Sequence, residues 1–183
     1  MSQWIIDTDV DAGTTLGRMA RLCRKAMRDP AVIYLANMVI SPAAPRDTPG
    51  QIDAIRRFMD CSFYFVPNPI GTQTIRPPGW TGSATAPGML EDIGRRGFTQ
   101  GACDDAAVLV ATLGMANGIP ARFRALAFCY QLAGQCDRAE AYTHVMADLF
   151  DGETWQELDS TRPRDRDRPS AAEIARTMVY DIS

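Results

Sequence analysis

From Ala106 to Met115 the chain reads Ala-Ala-Val-Leu-Val-Ala-Thr-Leu-Gly-Met, apolar on nearly every side of a helix. A helix with no polar face has to be covered all round. The rest of the chain must therefore supply layers that enclose it. Cys103-Asp-Asp opens this segment, and Gly118 and Pro120 close it.

The enclosing material is legible on both sides. Upstream, Leu16, Met19, Ala20, Leu22, Cys23, Ala26 and Met27 recur at helical spacing, opposite Arg18, Arg21, Lys25 and Arg28. The basic stripe is read as a solvated face. Asp29-Pro30 interrupts, and Ala31–Ile40 resumes as a short buried helix. After the proline-rich connector Ser41–Pro49, Thr48-Pro-Gly-Gln51 has the form of a capping box. The helix it starts buries Ile52, Ile55, Phe58, Met59 and Phe63. Residues 66–88 are rich in Pro and Gly and form a loop that holds Trp80, and Met89–Arg96 makes a short helix. Downstream, Arg122–Tyr130 is the first strand, Gln131–Ala139 a polar loop, and Ser170-Ala-Ala-Glu173 caps a last helix.

Between them lies a hairpin. Ala141–Phe150 and Glu153–Asp159 flank Asp151-Gly152, and a two-residue Asp-Gly loop sets Phe150 opposite Glu153. The same register puts His144, the one histidine, opposite Asp159, and Asp148 opposite Trp155. Asp148 reads as a structural carboxylate or part of a cleft wall. Helices thus precede the buried helix, and strands with one last helix follow it. The 183 residues suit a single domain, with a helical part over 1–96 and the chemistry over 97–161.

Composition excludes several classes. A net charge of −3 draws the chain to neither nucleic acid nor anionic lipid. The longest apolar run, Ala31–Ile40, is too short to span a membrane, and the N-terminus lacks a leader's basic and apolar regions. Cys23, Cys61, Cys103, Cys129 and Cys136 show no paired spacing, so free thiols and a reduced, cytoplasmic setting are expected, with a Cys129–Cys136 bridge as the alternative. One histidine and scattered cysteines give no metal-ligand spacing, and no cofactor is expected.

Cys103 at the start of a helix, followed by a His144–Asp159 pair, has the order of a thiol triad. The helix dipole and an imidazolium would lower the thiol pKa, making Cys103 the nucleophile. His144 would be its acid–base partner, and Asp159 would orient the imidazole. Asp104 and Asp105 oppose this, so they are expected to turn away into cap hydrogen bonds. The Cys103 backbone N–H is one oxyanion donor, with Trp80 or Gln100 as the second. Read singly, Cys103 is an ordinary buried cysteine and His144 a surface residue; the joint order carries the catalytic reading.

Gln100-Gly-Ala-Cys-Asp-Asp through Gly118-Ile-Pro-Ala-Arg122 resembles the cysteine motif of the transglutaminase-like superfamily. Thr143-His-Val-Met-Ala-Asp-Leu and Thr154-Trp-Gln-Glu-Leu-Asp-Ser-Thr161 resemble its histidine and aspartate motifs. Phe63-Tyr-Phe-Val-Pro-Asn-Pro69 is similar to small phage and prophage members. The resemblance implies a papain-like α+β core, a nucleophile helix packed on an antiparallel sheet that bears the His and Asp. It also implies acyl chemistry through a thioester on a protein or peptide substrate. Hydrolysis, as a protease or amidase, is favoured over cross-linking. A phage setting would add virion association and phage structural proteins as partners. Ala102, Met146 and Ser160 depart from the usual acidic, aromatic and proline residues. The rivals are a non-catalytic phage assembly module, a cross-linking transglutaminase, and acyl transfer to a small amine.

Overall fold

The buried helix sits between four helices and a sheet. This computed structural model describes residues 12–66, 85–128, 142, 144–161 and 174–182. Helices α1 (Ala12–Ala26), α2 (Pro30–Ile40) and α3 (Thr48–Ser62) lead into strand β1 (Phe63–Phe65). Helix α4 (Ala86–Arg96), strand β2 (Thr99–Gly101) and helix α5 (Cys103–Ala116) follow. Strands β3 (Ala121–Phe128), β4 (His144–Phe150), β5 (Trp155–Leu158) and β6 (Ile174–Asp181) complete the described elements.

Helix α5 is buried continuously from Asp105 to Met115, as its composition requires. It packs on all four other helices and on β3 and β4. Leu109, Leu113, Phe123 and Leu149 are fully enclosed, each contributing about 1.5–3 kcal/mol from burial alone. Gly114 lets the sheet approach. A Cβ there would lie 2.5 Å from Leu149 Cδ2, inside contact distance.

The four-stranded sheet runs β5-β4-β3-β6, with each neighbouring pair antiparallel. This is the α+β architecture expected, with the helix that Cys103 opens packed on an antiparallel sheet. The Arg18, Arg21, Lys25 and Arg28 stripe is exposed, also as expected.

Several local expectations are corrected. The last helix is instead β6. Its β-branched Ile174, Thr177 and Val179 suit a strand, and the open edge of β3 offers a full ladder of backbone partners. Residues 170–173 lie outside the described residues. Strands β1 and β2 were not foreseen; they pair in parallel, Phe63 with Thr99 and Phe65 with Gly101. Phe63 therefore belongs to a strand, although it is buried as expected.

Helix α3 starts one residue early. Asp47, not Thr48, is the cap, its Oδ1 accepting from the Gly50 N–H at 3.0 Å. Helix α2 is not enclosed: Val32 and Ala36 face inward while Ile33, Tyr34 and Met38 are exposed. Helix α4 begins at Ala86, inside the stretch read as loop. Trp80, Cys129, Cys136 and the polar loop Gln131–Ala139 lie outside the described residues. Cys23, Cys61 and Cys103 are free thiols. Among the described residues no helix is long and apolar enough to cross a membrane.

Candidate active site

Cys103 is the first residue of α5, and the turn before it is held by its own helix. The Ala102 N–H donates to Asp105 Oδ2 at 3.1 Å, the reciprocal half of a capping box. Gly101 makes room for that carboxylate, since a Cβ there would lie 2.5 Å from Asp105 Oδ2. Asp105 thus turns away from the thiol as expected.

Asp104 does not neutralise its effect in the same way. Burial, then the Asp104 charge, push the Cys103 thiol up to about 12, with Asp159 adding to the rise. The Val145 N–H, directed at the sulfur, and the Asp104 N–H act in the opposite sense but do not prevail. The low thiol pKa expected from the helix dipole is corrected. Desolvation and two carboxylates outweigh the N–H groups of Val145 and Asp104.

The His–Asp pair comes from the β4–β5 hairpin, whose turn differs from the expected one. The loop is four residues long: Phe150 pairs with Trp155 and Ala147 with Leu158. Asp151 builds it. Its Oδ1 accepts from the Glu153 N–H at 2.8 Å and the Thr154 N–H at 2.7 Å, and Gly152 takes φ 108°. The N–H groups of Thr154 and Glu153 hold the Asp151 carboxyl down at about 2.

This register is two residues away from the one an Asp-Gly turn would give. A shift of two leaves every side chain on its original face. Asp148 therefore opposes Glu157 rather than Trp155. His144 and Asp159 no longer oppose each other, yet they meet diagonally with Nε2 2.7 Å from Oδ2.

Both partners are well enclosed, and His144 is only 7% exposed rather than a surface residue. Burial alone would raise the Asp159 carboxyl. The hydrogen bond and charge of His144, with the hydroxyl and N–H of Thr161, nevertheless hold it below the usual carboxylate range. An ionised carboxylate only accepts, so Nε2 carries the proton. Nδ1 is then the basic nitrogen of the neutral ring. The thiol lies against the N–H of Val145, the residue after His144, and within reach of the Asp159 charge. Cys103, His144 and Asp159 are thereby brought to one place.

Gln100 is half-buried on β2, across from Tyr64 and just upstream of α5. Trp80, the other oxyanion candidate, lies outside the described residues. Among the described residues no group of three His, Cys, Asp or Glu could hold a metal ion.

Two sets of partners escaped the sequence reading, the Thr161 donors to Asp159 and the arginines around Asp148. Thr161 donates its N–H (3.1 Å) and hydroxyl (2.6 Å) to Asp159 Oδ1. The signal was present, since an Asp two residues before a Thr is a turn-forming pair. On the same sheet face, Asp148 is fully buried between two arginines. Arg122 Nε reaches it at 2.9 Å and Arg124 Nε at 3.1 Å, while Arg124 also reaches Glu157 at 3.3 Å. Arg122 in turn lies 4.3 Å over the Trp155 ring. Asp148 is thus a structural carboxylate, one of the two roles expected for it.

No protein-family model matches the chain, and no curated protein matches it. Among solved structures it is similar to a "Putative Cysteine Protease" from Cytophaga hutchinsonii, with 18% identity and a TM-score of 0.49. The match covers 87% of this chain, which spans 46% of that protein.

Proposed function

We propose that this chain is a cysteine-dependent hydrolase of peptide or carboxamide bonds. One observation carries the reading: His144 Nε2 is bound by Asp159 Oδ2 at 2.7 Å, while the Cys103 thiol lies beside the next residue's N–H. On this reading Nδ1 is the base for the thiol.

The chemistry follows from the proton inventory. As sulfur attacks the carbonyl carbon, the thiol proton passes to Nδ1, and Asp159 stabilises the imidazolium. The imidazolium then returns that proton to the departing amine, leaving a thioester on Cys103. Water attacks the thioester with His144 as general base; the acid leaves and the thiol is restored. The backbone N–H groups at the start of α5 are natural donors to the oxyanion, with Gln100 or Trp80 as a side-chain donor. Because the thiol is held protonated, proton transfer accompanies attack rather than preceding it. Transfer of the acyl group to an amine instead of water would make the same site a cross-linking one.

The raised thiol pKa favours a second reading, a non-catalytic structural or assembly module such as a phage would use. Labelling with peptidyl chloromethyl ketones, mapped by mass spectrometry, separates the two. A hydrolase labels at Cys103 in the wild type and at least about tenfold more slowly in folded His144→Ala. Equal rates in the two proteins would leave the module reading.

A further inference from the structure

We infer that Thr161 is a positioning residue for the catalytic imidazole, acting through Asp159. The inference rests on the reading above that His144 serves Cys103.

Asp159 has two oxygens with separate duties. Oδ1 accepts from both donors of Thr161, at 2.6 Å from the hydroxyl and 3.1 Å from the backbone N–H. Oδ2 is left to face His144 Nε2 at 2.7 Å. A carboxylate held at one oxygen by two donors cannot rotate about its last bond without breaking both. Its other oxygen is thereby fixed in place.

Thr161 is suited to this. It is 8% exposed, so its hydroxyl meets little competition from water, and it lies three residues beyond the end of β5. The strand pairing covers Trp155–Leu158 only, so the ladder does not orient Asp159. The turn to Thr161 supplies what the ladder does not. With Oδ2 fixed, the proton stays on Nε2 and the lone pair on Nδ1, the tautomer the thiol requires. Loss of the hydroxyl would let the carboxylate turn and the imidazole sample its other tautomer.

His144 is the one histidine in the chain, so its ¹⁵N resonances need no assignment. The tautomer ratio of the neutral ring is read directly, in the whole protein and without any substrate. The wild type is expected to be protonated on Nε2. Thr161→Val, close in shape but without the hydroxyl, should show a mixture of tautomers, and Thr161→Ser should restore the wild-type spectrum. Cys103 alkylation by iodoacetamide should fall about tenfold in Thr161→Val and recover in Thr161→Ser, the scale of one hydrogen bond to a charged group.

An unchanged tautomer in Thr161→Val would overturn the inference. So would a wild-type ring protonated on Nδ1, which needs no variant to fold. If the tautomer shifts but alkylation is indifferent to both Thr161→Val and His144→Ala, Thr161 still positions His144, and it is the hydrolase reading that fails.

Discussion

His144 and Asp159 meet at 2.7 Å although the strand register does not set them face to face. Continued one residue past the Ala147–Leu158 pair, it brings Met146 across from Asp159. The contact is diagonal, and it depends on the carboxylate being ionised and aimed. Asp159→Asn keeps the shape but can present its N–H₂ to Nε2, forcing the proton onto Nδ1. Cys103-dependent hydrolysis of a peptide substrate should fall at least about a hundredfold, with far-ultraviolet circular dichroism unchanged.

Asp104 restrains the thiol. Asp104→Asn removes a like charge beside a developing thiolate, so the Cys103 pKa should drop by roughly one unit. Alkylation of Cys103 followed between pH 7 and 11 should rise severalfold at each pH below the midpoint. An unchanged profile would leave burial and Asp159 to set the thiol.

Alkaline stability follows from the same thiol. Its folded pKa of about 12 lies above the value of about 8.5 it would have in the unfolded chain. Between those values the unfolded state gives up the proton and the folded state keeps it, so stability falls as pH rises. At pH 10 the loss is on the order of 2 kcal/mol. Urea denaturation of Cys103→Ala should show a shallower decline from pH 8.5 to 10 than the wild type. Cys23, raised by burial to about 11, should leave part of the decline in place.

Asp148 is buried between Arg122 and Arg124. Its replacement by alanine leaves two half-enclosed guanidinium groups without their shared carboxylate. A loss of about 3–5 kcal/mol is expected in urea denaturation. Asp148→Asn keeps an acceptor and should lose less.

Gly114 is a packing glycine, and its alanine variant would drive a methyl into Leu149. Gly114→Ala should cost about 1–3 kcal/mol despite the better helix propensity of alanine. In a Leu149→Ala background the same change should be close to neutral. The difference between the two backgrounds measures the contact.

How much of this could be read beforehand depended on how local the signal was. The apolar run of α5 announced its own burial, and order and spacing named Cys103, His144 and Asp159 as the candidate site. The hairpin register was missed because Asp151-Gly152 is a strong two-residue turn signal, while the Asp151 carboxylate captures two N–H groups and builds a longer loop. The site survived the error because the shift was even. Strand β6 was missed for the opposite reason. Ser170-Ala-Ala-Glu is a valid local helix signal, and only the open edge of β3, a tertiary fact, outweighs it in the residues that follow. The thiol pKa depends on burial and on the distance to two carboxylates, neither of which spacing alone reveals.

The strand order β5-β4-β3-β6 also bears on how the chain is made. Both neighbours of β3 are synthesised after it, and the farther one begins at Ile174. Until then the central strand has an open edge, and the α1 residue Arg24 waits for Ile182, whose carbonyl it binds at 3.0 Å. On the ribosome, α5 and β3 therefore emerge as an adhesive surface well before their cover does. A nascent chain stalled short of β6 should depend on holdase chaperones.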